Sequence, residues 1–140
     1  METSQIEELN GLLGDWTDNE NQTRKAFVEL KEFLEAGDGV KLSYVARPGI
    51  TYSLRAAHEN QTARALFAMV DVIDDDPADR WLSVCFYSEL ISDPEERGDE
   101  VPEGLLGEDA TCFDVDAWDD DLMTYVKARL EEARQKGSQG

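Results

Sequence analysis

The residues best suited to chemistry in this sequence are cationic and hydroxyl side chains on either side of a Pro-Gly turn. They are Lys41, Ser43, Ser53, Arg55 and His58, and the turn lies at positions 48–49. Ammonium, guanidinium and hydroxyl groups together are typical donors to a phosphate or a carboxylate. The pattern therefore predicts a small-anion site on Lys41, Arg55 and the two serines, with His58 near the end of the second strand.

A second interpretation of the same residues needs no ligand. The apolar alternation favours a three-residue loop, residues 47–49, which pairs Tyr44 with Tyr52 and sets Lys41 opposite Arg55. Like charges placed opposite each other destabilise a sheet unless something neutralises them. Asp71 or a loop carboxylate would do so through an internal salt bridge. Because structural ion pairs are common, this is the first explanation to test.

Other chemical signatures lack the spacing that their sites require. The acidic turn Asp74-Asp75-Asp76 has neither the pattern nor the glycine of a calcium loop, and its composition is typical of a solvent-exposed turn. Two isolated cysteines and one histidine cannot supply four zinc ligands. No serine or cysteine lies in a nucleophile motif. The sequence thus predicts no catalytic residue, no metal site and no cofactor, and it favours binding over catalysis.

The charge is strongly and unevenly acidic. The chain has 32 acidic and 13 basic residues, a formal net charge of -19. Such a balance disfavours nucleic acid and anionic membranes as partners, and it fits a basic partner protein or a highly charged soluble surface. Residues 39–64 reverse the sign, with four cations against Glu59 alone. The predicted hairpin is therefore a basic island on an acidic protein.

The expected location is cytoplasmic. The first residues have no basic segment followed by an apolar one, and no run of about 18 apolar residues exists to span a membrane. In the cytosol, Cys85 and Cys112 should be reduced thiols in or near the core.

Hydrophobic periodicity predicts three helices. A short first helix follows a capping box at Ser4 and Glu7, and it ends at Gly14. A stronger second helix should run from about 19 to 36, after a capping box at Thr17 and Glu20. A third, capped by Asp116, should run from about 117 to 135.

A period of two predicts the strands. Two alternating runs flank the Pro-Gly turn, and apolar strands follow at about 65–73 and 81–87. The strand at 65–73 is apolar on both faces except at Asp71, which is typical of a central strand covered on both sides. Residues 88–110 are rich in Gly, Pro and acids and are predicted to be a long loop, followed by a short fifth strand at 111–115.

Two helices, four or five strands in succession and a final helix predict an α+β fold with an antiparallel sheet. We expect a single domain over residues 1–136 and a disordered tail at 137–140. The leading functional prediction is a non-catalytic binding protein whose partner is a protein or a small ligand. The alternatives are a small-anion binder or enzyme that uses the basic hairpin, and an acidic decoy of a basic nucleic-acid-binding protein.

Overall fold

The computed structural model describes residues 1–140 as three helices and one sheet. The helices are α1 (Thr3–Asp15), α2 (Thr23–Glu35) and α3 (Asp120–Gly137), with a single 3₁₀ turn at Ser88–Leu90. The strands are β1 (Val40–Arg47), β2 (Thr51–His58), β3 (Ala68–Ile73), β4 (Trp81–Tyr87), β5 (Asp99–Leu105) and β6 (Glu108–Val115).

All six strands form one antiparallel sheet in the order β1-β2-β3-β4-β6-β5. The predicted α+β class with an antiparallel sheet is confirmed, and the sheet has one strand more than the four or five expected. The outer strands, β1 and β5, leave two unpaired edges.

The sheet is covered on one face only. Along β3 and β4, residues such as Val70 and Val84 are fully buried, whereas their neighbours in sequence are half-buried. The buried face packs on α1, α2 and α3 in one cluster of 30 buried residues, to which Phe27 and Leu130 contribute from the helices. The prediction that β3 is covered on both sides is therefore wrong, since its second apolar face has no helix over it.

Strand β5 and the first residues of β6 lie where a long loop was predicted, whereas the short strand predicted at 111–115 is confirmed as the rest of β6. Residues 88–98 are irregular, but β5 then pairs with β6, and a bulge shifts their register between Val101 and Leu105. Pro102 and Gly104 obscured this strand in the sequence because both residues weaken a regular ladder. Pairing on one side only, at the edge of the sheet, makes them tolerable.

The helix ends differ from the predicted ones. Gln22 adopts a left-handed conformation, so α2 begins at Thr23 rather than near residue 19. Its first amides are capped from outside the helix, because the Asp18 carboxylate accepts from the N–H groups of Arg24 (3.2 Å) and Lys25 (3.1 Å). Asp119, not Asp116, caps α3 by accepting from the N–H of Leu122.

The turn between β1 and β2 explains the error in their register. The Ile50 N–H donates to the Arg47 carbonyl at 2.9 Å, with Pro48 and Gly49 (φ +81°) between them. This is the arrangement of a type II turn, which favours Pro second and requires a positive φ third. Arg47 consequently pairs with Thr51, and every pair is shifted by two residues from the prediction. A two-residue shift keeps each side chain on its predicted face.

Residues 138–140, predicted with Gly137 to be a disordered tail, form a turn after α3, and the Gly140 carbonyl accepts from the N–H of Ala63 at 2.9 Å. None of the three helices combines the length and the apolar composition needed to cross a membrane.

Candidate functional site

The uncovered face of the sheet, which we call the open face, brings together most of the residues of chemical interest. Cross-strand partners share a face, so the residues of the open face form rows that cross the sheet at right angles to the strands. One row contains Val45, Ser53, Asp71, Ser83 and Asp114; the next contains Ser43, Arg55, Met69, Cys85, Cys112 and Asp99; a third ends on Ile73 and Trp81.

Four of the five predicted site residues lie on the open face. Ser43 pairs directly with Arg55, and the Arg55 Nε donates to the Ser53 hydroxyl at 3.2 Å. Lys41 pairs with Ala57, so it is a diagonal neighbour of Arg55 and not its direct partner. The predicted clash of Lys41 with Arg55 is therefore wrong, although the two cations remain close on one surface.

His58 does not belong to this group. It lies three residues after Arg55, which places it on the helix-covered face, and it is buried. Its Nδ1 accepts from the N–H of Asn60 at 3.1 Å, and its ring packs so closely on Gly39 that a Cβ there would collide with it. His58 is thus a packing residue at the end of β2.

Asp71 occupies the centre of the open face, between Ser53 on β2 and Ser83 on β4. It forms no salt bridge, and its buried Oδ1 has no hydrogen-bond partner. Burial raises the pKa of Asp71, while the Ser53 hydroxyl and the charges of Arg55 and Arg47 oppose this shift. The expected salt bridge between Asp71 and the hairpin is therefore not formed, although their charges do interact.

The cations of the hairpin remain without carboxylate partners. None of the seven ion pairs in the structure includes Lys41, Arg47 or Arg55. Arg64 differs from them, because its guanidinium contacts Glu89 at 2.7 Å and Glu108 at 3.0 Å. The basic island predicted over residues 39–64 thus reduces to three unpaired cations on β1 and β2.

Carboxylates lie at the opposite side of the open face. Asp114 on β6 and Asp99 on β5 both project there, at the far ends of the rows that contain Asp71 and Cys85 respectively. Partial desolvation raises the pKa of Asp114, and the charges of Asp99 and Asp116 raise it further. The open face is therefore bipolar, basic at β1–β2 and acidic at β6–β5.

Cys85 and Cys112 form a disulfide on the open face, which contradicts the prediction of reduced thiols. They are direct cross-strand partners on β4 and β6, with Cα atoms 4.2 Å apart. The periodicity placed Cys85 on the correct strand, but pairing could not be predicted without knowing that β6 lies beside β4. Because disulfides are rare in the cytosol, this bond counts against the expected cytoplasmic location, which stays a prediction.

The acidic turn is also different from its prediction. Asp75 and Asp76 are exposed, but Asp74 is buried and forms an ion pair with Arg80, whose Nε lies 2.6 Å from the Asp74 Oδ1. The second carboxylate oxygen accepts from the Gly49 N–H at 3.1 Å. Asp74 is thus a structural link between two turns. No three His, Cys, Asp or Glu side chains in the structure are grouped to hold a metal.

Sequence reasoning missed Met69, Ile73 and Trp81 as surface residues. All three are half-buried on the open face, where no helix covers them. One sequence signal for these surface residues existed, because β3 has apolar residues on both faces. We interpreted this pattern as evidence for two covering layers within the chain. The same pattern also arises when the second layer belongs to another molecule.

No protein-family model, curated protein or solved structure matches this chain.

Proposed function

We propose that the protein is a non-catalytic binding domain that docks a partner protein on its open face. The observation that carries the proposal is a group of apolar side chains on that face, with Met69 and Ile73 on either side of Asp71 on β3 and Trp81 beside Ile73 on β4. Apolar side chains grouped on an uncovered surface and bordered by polar ones are characteristic of protein interaction sites.

The dimensions of the open face support a protein partner. Six strands at a spacing of about 4.8 Å extend roughly 24 Å across, and six to eight residues extend roughly 20 Å along each strand. This surface is large enough for the centre of a standard interface, which buries about 800 Å² per partner.

The charge on the open face indicates which partner surface would fit. Lys41, Arg47 and Arg55 need carboxylates opposite them, and Asp99 and Asp114 need cations. A partner with an apolar centre between an acidic and a basic border would meet both requirements. The mixed sign favours this partner over mimicry of nucleic acid, which needs a continuous acidic surface.

A photo-crosslinking residue at Val45 tests the proposal in the native cell. We expect an adduct with one protein from position 45 and none from Lys136, an exposed position on α3 that serves as the matched control. Met69→Glu in the Val45-labelled protein should abolish the adduct, because it replaces one of the apolar contact residues by a charge. Equal labelling from both positions, or an adduct that persists with Met69→Glu, would contradict the proposal.

A second candidate function is the binding of a small anion by the hairpin. It is favoured by one observation, the absence of a carboxylate partner for Lys41 and Arg55, which have the Ser43 hydroxyl between them. Inorganic phosphate should then raise the melting temperature of the wild type but not of Arg55→Ala. No phosphate-dependent shift in the wild type removes this candidate.

A further inference from the structure

The edge strand β1 has the features of a strand that can pair with a further strand. It is a regular strand of eight residues without a proline or a bulge. The other edge, β5, has Pro102, a bulge and a residue with positive φ at Glu103, all of which prevent further pairing. Only β5 therefore has irregular backbone that hinders the addition of a strand, whereas β1 is capped at one amide, that of Tyr44, by the Gln5 side chain.

The backbone groups on the outer side of β1 can be identified from the ladder. The Gly39 carbonyl accepts from Glu59, and the Arg47 carbonyl accepts from Ile50, so the odd-numbered residues of β1 point towards β2. The even-numbered residues, Leu42, Tyr44 and Ala46, then direct their N–H and C=O groups outward. The Tyr44 N–H confirms this direction, because it donates to the Gln5 side-chain carbonyl at 3.2 Å. Gln5 supplies there the acceptor that a neighbouring strand would offer.

A groove runs along the helix side of the same edge. Its volume is about 1090 Å³, and it is bounded by α1, α2 and β1. Ile6, Leu9, Val40 and Leu42 supply its apolar wall, and Ile6 is 43% exposed, which is high for an isoleucine on the inner side of a helix. An added strand would place every second side chain in this groove.

The charges on β1 indicate which side chains an added strand should have at the positions that do not enter the groove. Lys41 and Arg47 lie on the open-face side of β1, both exposed and both without an ion pair. Acidic residues on an added strand would be their direct neighbours, and opposite charges across a ladder are stabilising.

From these features we propose that β1 accepts an extended segment of a partner protein as a seventh strand. The segment alternates apolar residues, which enter the groove, with acidic residues, which lie beside Lys41 and Arg47. Backbone hydrogen bonds to Leu42 and Ala46 supply affinity, and the groove and the two cations supply specificity, as in other cases of strand addition. The inference concerns the edge of the sheet and stands independently of binding on the open face.

A second copy of this chain fits the same edge poorly in the register that pairs β1 along its length. Symmetric antiparallel pairing centred on Tyr44 would set Lys41 of each copy beside Arg47 of the other. Like charges in that position are destabilising. An acidic segment meets both cations instead, so the occupant of this proposal is a segment of another protein.

Amide hydrogen exchange on the whole protein provides the test. The probe is a capped eight-residue peptide of alternating valine and glutamate, and the control peptide has lysine in place of glutamate. At a concentration that binds nine-tenths of the protein, exchange of the Leu42 and Ala46 amides should slow by about tenfold, with no change on β5. Unchanged exchange at these amides, or equal slowing with the lysine peptide, would overturn the proposal. Slowing that depends on protein concentration without any peptide would overturn it in favour of a second copy.

Two variants define the mechanism. Lys41→Glu changes only an exposed side chain, so it should fold normally, weaken binding of the glutamate peptide at least fivefold and strengthen binding of the lysine peptide. Ala46→Pro removes one outward N–H without breaking a bond to β2, and it should abolish slowing at Leu42. Unaltered affinity of Lys41→Glu for both peptides would contradict the role of charge.

Discussion

Asp74 and Arg80 form a buried ion pair that joins three parts of the molecule. The Arg80 guanidinium also lies over the rings of Trp16 and Tyr52, 5.5 and 5.7 Å from their centres. The backbone around the pair is fixed as well, because the Asp74 N–H donates to the Ile50 carbonyl at 2.9 Å. The pair thus connects the end of α1, the β1–β2 turn and the β3–β4 turn.

Removing one partner of this pair should strongly destabilise the fold. Arg80→Ala leaves the Asp74 carboxylate buried without its cation, and such losses cost about 3–5 kcal/mol. The free energy of unfolding in urea measures the effect. Asp75→Asn, an exposed position in the same turn, is the matched control and should change stability by less than about 0.5 kcal/mol. Equal effects of the two substitutions would refute the structural role of the pair.

The Asp74 carboxylate should make the free energy of unfolding decrease in acid. Burial by itself would raise the pKa of Asp74, but hydrogen bonds from Arg80 and the Gly49 amide outweigh it and lower the pKa below its usual 3.8. The folded state then binds fewer protons than the unfolded state, so this contribution is complete above about pH 4 and is lost as the pH falls through the folded-state pKa. Unfolding of the wild type and Asp74→Asn between about pH 2 and pH 6 should show a shallower acid dependence in the variant. Parallel curves would exclude Asp74 as a source of the acid dependence.

Asp71 should have the opposite effect on stability. Its pKa is raised, so the folded state holds a proton more tightly than the unfolded state, and the carboxyl favours folding in acid but opposes it as the pH rises through the raised pKa. Asp71→Asn should therefore stabilise the protein at neutral pH, by on the order of 1 kcal/mol, because an amide avoids the cost of an ionised buried group. Thermal unfolding at pH 7 and pH 4 is the measurement, and a larger gain at pH 4 than at pH 7 would contradict this explanation.

The disulfide should contribute measurably to stability. Cys85 and Cys112 are 27 residues apart, and closing a loop of this size in the unfolded chain is worth about 3.5 kcal/mol. Dithiothreitol should lower the urea midpoint of the wild type towards that of the Cys85→Ser/Cys112→Ser variant, which itself should not respond to the reductant. A wild-type midpoint that the reductant leaves unchanged would count against the bond. Thiol titration of protein taken directly from its native cell would report the redox state there.

Much of the fold follows from local chemistry that the sequence displays. Strand β4 begins at Trp81 and ends at Tyr87, as the alternation of Leu82, Val84 and Phe86 predicts. The faces of β1 and β2 were also predicted correctly, because a period of two survives any even shift in register. The register itself was wrong because Pro48 fits the second position of a type II turn, which starts the turn at Arg47.

The features that sequence could not provide depend on long-range pairing. Strand β5 is exposed except at Leu105 and contains Pro102, so nothing in its own composition indicates a strand. The disulfide requires β6 beside β4. Asp74 and Arg80 are only six residues apart, but the burial of their ion pair requires the end of α1 and the β1–β2 turn to lie against it. The open face could not be predicted either, because it requires the knowledge that all three helices pack on the same side of the sheet.

The strand order also has a consequence for the order of folding. Four of the five neighbouring pairs in the sheet join strands that are consecutive in the chain, and only β4 and β6 pair across an intervening strand. Short loops close quickly, so the first four strands can assemble as successive hairpins. Their inner face stays incomplete until α3, at the far end of the chain, packs over β2. Emergence of α3 from the ribosome should therefore be the step that converts a preformed sheet into a stable native protein.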